Sequence, residues 1–550
     1  MRWMERLYII VAIACLIPIQ ALAQTSPTDS GSQSPRLEDQ VEKLKEAIAA
    51  QQQAMVEQQR QISEQRQEIE MLSQHVIGQS KATSVITGNR SSVLVNTNLS
   101  EMPPSTRTNT ALEQEIEKPK ESPLSFHIGG AEFTPGGFVD LTAFWRSTNT
   151  GTGYGTNFFS IPFHNTIPGQ LTETRFTAEN SRITLKATDK FKGNDITGYY
   201  EMDFHGNDPA NLNVTSNSST MRLRQFWVDV RRNKWEFLGG QAWSWLTPNR
   251  VGMSAMPADV FYSQNVDANY QLGLTWTRAP QVRVIFHPND HWGMGIAAEN
   301  PDQFAGQAGQ VIFPAAFNNA AVTSQFDIAN QTTTPNVMPD IIPKIAYDTD
   351  FGGKHFHVEA VGLVTRLRVV PALGAATNSV TAGGGSLNMN LEVVKNFRLF
   401  LTSFFSDGGG RYIFGSGPDA VLRPDGTLSL VHADSGVGGF EWQINTKTLI
   451  SAYYGADYFQ QNFFLDTSVG AKPNTFAGYG GPGSSNAANR SIQEPTLDWV
   501  TTFWKNPQYG ALQLMTQFSY LTRSPWVVPA GTPKNARSSM AWANVRYVLP

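Results

Sequence analysis

The C-terminal three quarters of the chain alternates between apolar and polar positions with the period of a strand. In RITLKATDKFKGNDITGYYEMDF, Arg182 to Phe204, the side chains of Arg182, Thr184 and Lys186 fall on one side while Ile183, Leu185 and Ala187 fall on the other. After the polar connector TDKFKGN, which the pattern predicts as a short turn, Thr197, Tyr199, Glu201 and Asp203 alternate with Ile196, Gly198, Tyr200 and Met202. A water-soluble sheet turns such an apolar face inward. An outer-membrane barrel inverts it, with apolar residues against lipid and polar residues around a wet lumen. One hairpin does not choose between the two.

The connections do. MRLRQFWVDV and KWEFLGGQAW are joined by RRNK, SLNMNLEVV and FRLFLTSFF by KN, GFEWQIN and LISAYYGADYF by TKT. Between such pairs lie long connections rich in Gly, Asn, Ser and Pro, including Ser147 to Thr172, Ser244 to Ala279, Pro301 to Pro339, Asp407 to Ser435 and Gln461 to Arg490. Short turns alternating with long loops predict an all-β transmembrane barrel of about 16 antiparallel strands, an even number as in bacterial outer-membrane barrels. Ile345, Tyr347, Phe356, Val358, Leu387, Met389, Phe440 and Trp442 form apolar sides, and Lys344, His357, Glu359, Asn388, Asn390 and Glu441 form polar ones. A Lys or Arg at the lipid midplane costs about 2–4 kcal/mol, so the charged sides are predicted to face the lumen.

The first hundred residues differ. MRWMERLYIIVAIACLIPIQALAQ has a basic start, an apolar run and an Ala-x-Ala site, which predicts a signal peptide over 1–23. A linker over 24–36 precedes a heptad pattern in 37–77, where Val41, Ile48, Met55, Ile62, Ile69 and Val76 recur every seven residues beside a seam holding Leu37, Leu44, Gln51, Gln58, Gln65 and Leu72. That is the pattern of an α-helical coiled coil, and it predicts an oligomer. Residues 78–125 lack a period and read as a flexible linker, leaving 126–550 as the barrel domain.

Composition narrows the function. The formal charge of -4 and the lack of a basic run argue against a nucleic-acid partner. The single cysteine, Cys15, falls inside the export signal, so thiol chemistry is not expected of the mature chain. No G-x-S-x-G, P-loop, zinc-protease or dinucleotide motif is present, so neither an enzyme nor a cofactor is expected. His355, His357 and Glu359 share a strand face but lack an identifiable fourth ligand, and solvated polar residues are the better reading.

The chemistry expected is that of fixed charges along a channel. By alternation Arg182, Lys186, Arg222, Arg224, Arg283 and Lys344 line the lumen with Glu201 and Asp203. Five of these cations, Arg182, Lys186, Arg222, Arg224 and Arg283, lie on an early run of strands and are expected to form a basic wall. The loop Ser244 to Ala279 is expected to fold inward and bring Asp259 and Asp267 toward that wall. Parity slips near Gln225 and Phe226, where a bulge is expected. The competing expectation is that the arginines pair with lumen acids and only hold the barrel together.

Taken with the export signal, the heptads and the linker, the segments ENSRITLKAT, YYEMDF, MRLRQFWVDV and FLGGQAW resemble the DcaP-like trimeric porins. The ending AWANVRYVLP looks like an outer-membrane assembly signal, although Pro550 stands where an aromatic residue is usual. The resemblance implies a homotrimer in outer-membrane lipid, with the coiled coil in the periplasm. It also implies passive diffusion of small hydrophilic solutes, favouring organic anions such as dicarboxylates. A structural tether with a plugged barrel and an outer-membrane hydrolase are the alternatives from other classes.

Overall fold

A computed structural model describes residues 122–207, 217–307, 309–328, 334–414 and 417–550. The expected signal peptide, first linker and coiled coil lie outside the described residues, as does 78–121 of the second linker.

Sixteen antiparallel strands close into a barrel. In chain order they are β1 (Ala131–Arg146), β2 in two segments (Glu173–Thr177 and Arg182–Phe191), β3 (Asn194–Asp203), β4 (Arg222–Arg232), β5 (Trp235–Trp243), β6 (Arg278–Phe286), β7 (Trp292–Glu299) and β8 (Asp340–Phe351). They continue as β9 (Lys354–Val369), β10 (Asn378–Val394), β11 (Phe397–Asp407), β12 (His432–Asn445), β13 (Thr448–Phe459), β14 (Asn489–Asn506), β15 (Gly510–Pro525) and β16 (Ala536–Val548). Each strand pairs with its neighbours in sequence, and β1 meets β16 in register from Phe138 opposite Val548 to Arg146 opposite Met540. Closure removes the free edges that hydrocarbon does not tolerate.

The hairpin read first in the sequence is tighter than its polar connector implies. Most of TDKFKGN is strand, and the turn is only Lys192 and Gly193, at φ 51° and 80°. Two consecutive residues at positive φ give the turn whose twist matches the flanking strands, so polarity there did not signal a longer loop.

The faces are inverted as the alternation predicts. Asp140, Glu201, Glu299, Lys344 and Glu359 are buried, whereas Leu141, Phe226, Leu387, Leu497 and Phe518 are half exposed on the outer wall. Trp235, Trp292, Phe351, Trp442, Trp504 and Tyr509 are exposed near the short turns, the place of an interfacial aromatic girdle. At the other end, Val311–Ile312 and Asn462–Leu465 both pair with Phe476–Tyr479, which ties two long loops together.

Candidate functional site

The connection 244–277 between β5 and β6 turns into the lumen, and buried contacts fasten it to the wall. Arg250 donates to both carboxylate oxygens of Glu441 on β12, at 2.7 and 2.8 Å, with its guanidinium 5.0 Å from the Phe261 ring and 4.9 Å from the Phe400 ring. Burial disfavours the Arg250 charge, but Glu441 more than offsets this and holds its pKa above the ordinary guanidinium value. Lys344 on β8 donates to the Asn249 side chain at 2.8 Å and pairs with Glu359 on β9 at 2.9 Å, while the Asn249 backbone N–H donates to Glu359. Further along, the Leu272 N–H donates to Glu494 on β14 at 3.0 Å. A side chain at Gly455 on β13 would collide with the Leu272 carbonyl, so the missing Cβ lets the loop press against the wall there.

Along β2, β3 and β4 the expected arginines come together with the expected acids. Arg222 binds Asp203 through two nitrogens, at 3.0 and 2.7 Å, and Arg224 reaches Asp203 at 2.7 Å and also pairs with Glu201. Arg182 lies 3.6 Å from Glu201. The register shifts between Glu201 opposite Gln225 and Met202 opposite Leu223, leaving Arg224 as the extra residue of a bulge. Arg224 and Gln225 are therefore both buried, and Arg224 is the deeper of the two neighbouring arginines, with its side chain 3 % exposed against 38 % for Arg222.

A fourth arginine joins them that strand alternation did not select. Arg278 opens β6 with its guanidinium 5.1 Å from the Trp243 ring and 5.9 Å from that of Trp276. Among the described residues it makes no ion pair, and its Nη1 is buried without a hydrogen-bond partner. The sequence placed it inside a long loop, where there is no period to read.

The loop meets these arginines with tyrosines. The Tyr270 hydroxyl accepts from Arg224 Nη2 at 3.0 Å and from Arg182 Nη2 at 3.3 Å. Tyr262 lies 5.2 Å away, ring centre to ring centre, and Trp243 and Trp276 complete the aromatic cluster. A cavity of about 580 Å³ reaches Asn269, Trp276, Arg278, Arg411, Asp302 and Asp327. A second of about 70 Å³ reaches Arg182, Tyr262, Tyr270 and Arg546, and a third of about 190 Å³ reaches Arg182, Lys186 and Glu201 beside the chain terminus at Pro550.

The remaining expected residues are spread more widely. Lys186 belongs to the third cavity. Arg283 turns away from the cluster, donating to Gln281 at 2.6 Å and to the Trp243 carbonyl, with its guanidinium 5.3 Å from the Trp245 ring. Lys344 serves the loop's attachment. Asp267 accepts from the N–H groups of Thr156 at 3.1 Å and Asn269 at 2.9 Å and, among the described residues, makes no ion pair with the wall; burial raises its carboxyl above the usual range. Asp259 lies midway along the loop, where its carbonyl accepts from the Arg250 N–H at 2.6 Å. The loop folds inward, and its Tyr270 rather than an aspartate bonds the arginines. His357 bridges Asp348 at 2.8 Å and Glu359 at 3.4 Å as part of the polar network beneath the loop.

No protein-family model and no curated protein sequence matches the chain. Solved structures do. The outer-membrane channel DcaP of Acinetobacter baumannii aligns at 17 % identity and a TM-score of 0.55, over 76 % of this chain and 98 % of that one. An anion-selective porin from Comamonas acidovorans aligns at 12 % identity and a TM-score of 0.42, over 76 % and 100 %. OprB of Pseudomonas putida aligns at 11 % and 0.39, over 76 % and 94 %. Sixteen strands, inverted faces and an inward third loop give this chain a fold similar to that of the DcaP outer-membrane channel.

Proposed function

We propose that the protein is an outer-membrane porin through which small hydrophilic solutes diffuse, with a preference for organic anions such as dicarboxylates. One observation carries this reading. Beside Tyr270, three guanidiniums (Arg182, Arg222 and Arg224) share two carboxylates, Glu201 and Asp203, and a fourth, Arg278, makes no ion pair among the described residues. The cluster therefore carries excess positive charge where the lumen is crossed by loop residues. A carboxylate passing there trades water for charge-assisted hydrogen bonds, and the two acids keep it from being held too tightly. In the same reading the barrel assembles as a homotrimer in outer-membrane lipid, with 37–77 as a coiled coil on the periplasmic side.

Swelling of liposomes that contain the assembled barrel tests the solute class. A small dicarboxylate is expected to enter several-fold faster than a diamine of similar size. Equal rates would remove the anion preference, and no swelling with either would remove the porin reading in favour of a plugged barrel.

A further inference from the structure

We propose that Tyr270 sets the selectivity of the constriction: its phenol oxygen holds the seat that a permeating anion takes between Arg182 and Arg224, and loss of its proton closes that seat. The inference rests on the anion-conducting reading above and deepens it.

The geometry is that of a resident ligand. Two guanidinium nitrogens from different strands converge on one oxygen, Arg224 Nη2 at 3.0 Å and Arg182 Nη2 at 3.3 Å, as they would on a carboxylate oxygen. Tyr270 adopts φ 58°, a left-handed conformation that costs a bulky residue about 1–3 kcal/mol and persists only where its surroundings hold it. Here Asn265 Nδ2 donates to the Tyr270 carbonyl at 3.0 Å, and the Tyr270 N–H donates to the Asp267 carbonyl at 3.0 Å. The ring then packs against Tyr262, Trp243 and Trp276 at centre-to-centre distances of 5.2, 6.0 and 5.5 Å. Tyr270 itself lines the 70 Å³ cavity with Arg182, Asp267 and Arg546, and the neighbouring Asn269 lines the 580 Å³ cavity with Trp276, Arg278, Asp302 and Asp327.

Charge decides when the phenol gives way. Facing it are Arg182 from β2, Glu201 and Asp203 from β3, Arg222 and Arg224 from β4, Arg278 from β6 and Tyr262 from its own loop, with Asp267 and Arg546 in the smaller cavity. Burial alone would push the Tyr270 phenol up, but the guanidiniums of Arg182, Arg224 and Arg278 outweigh it and bring the group down to about 8. Below that pH the neutral oxygen is a weak acceptor that an anion can displace. Above it the phenolate accepts from both guanidiniums as a charged partner and cancels one positive charge of the cluster. Anion preference should therefore be full at neutral pH and fall through about pH 8. Tyr262 is the internal comparison, because its hydroxyl has no hydrogen-bond partner and burial holds its phenol above the ordinary value.

The test is the reversal potential of the full-length channel in planar bilayers under a KCl gradient, from about pH 6.5 to about pH 9.5, for the wild type, Tyr270→Phe and Tyr262→Phe. The wild-type anion-to-cation permeability ratio is expected to fall several-fold across this range. Tyr270→Phe should keep a high, flat ratio, and Tyr262→Phe should follow the wild type. A wild type without anion preference at the acid end would defeat the anion-conducting reading and this inference with it. A wild type that shows the preference, with the same pH response in an assembled Tyr270→Phe barrel, would overturn the assignment of Tyr270 alone. An ultraviolet difference titration of the wild-type barrel needs no variant: one tyrosine should ionise near pH 8, and none doing so would overturn the inference.

Discussion

Two of the arginine sites in the lumen share the same chemistry and differ in stoichiometry. On β12, eight strands round from β4, Arg250 meets one carboxylate in a bidentate pair, so the charges cancel and the contact serves only to fasten the loop. Across β2 to β6 three guanidiniums share two carboxylates, a fourth, Arg278, makes no ion pair among the described residues, and a phenol oxygen accepts from one nitrogen each of Arg182 and Arg224. A matched pair fixes structure, whereas an unmatched cluster leaves a field for a solute to feel. Neither expectation formed from the sequence, basic wall or structural ion pairs, describes the site alone. Three of the arginines are paired with two lumen acids, and Arg278 is not paired among the described residues.

The largest effect should come from breaking the matched pair. With side chains only 10 % and 8 % exposed, Arg250 and Glu441 are effectively out of water, and deleting one partner of a buried pair typically costs about 3–5 kcal/mol. Glu441→Ala should therefore loosen the loop, lower the temperature at which the barrel loses its compact gel mobility and raise single-channel conductance. An unchanged transition and conductance would mean that the loop is held elsewhere. Next in size is Arg222→Gln combined with Arg224→Gln, which leaves two guanidiniums against two carboxylates while Gln keeps a donor near each acid. The permeability ratio should then move toward cations by about tenfold, about 1.4 kcal/mol of barrier, with the barrel still assembled. Wild-type selectivity in that variant would make these residues structural. The smallest change should come from Arg278→Gln. No ion pair is lost, so stability should stay within about 0.5 kcal/mol, and the ratio should fall only about threefold because a single partly solvated charge is worth at most about 1 kcal/mol.

These sites were not equally legible in the sequence. The barrel could be read because every strand repeats one two-residue period and every short turn stands opposite a long loop, so Glu201, Asp203 and Lys344 could be placed on the lumen side from alternation alone. The Arg224 bulge showed itself as a slip in parity near Gln225. Loop residues have no comparable signal. Tyr262, Tyr270 and Arg250 reach their partners through a fold that brings position 250 to position 441 and 270 to 182 and 224, and no local pattern encodes such pairings. Arg278 was missed for a related reason: it is the first residue of β6, and element boundaries are the least certain part of any pattern. A cue did exist in the run Trp276, Thr277, Arg278, since an arginine beside a tryptophan often stacks on it.

If excess guanidinium charge around Tyr270 makes the lumen anion-selective, the reversal potential of the wild-type channel at neutral pH reads that charge. In a KCl gradient at low ionic strength the potential should lie on the anion side of zero, and it should shrink toward zero as salt is raised and the charges are screened. A potential at zero or on the cation side at low salt would contradict the claim.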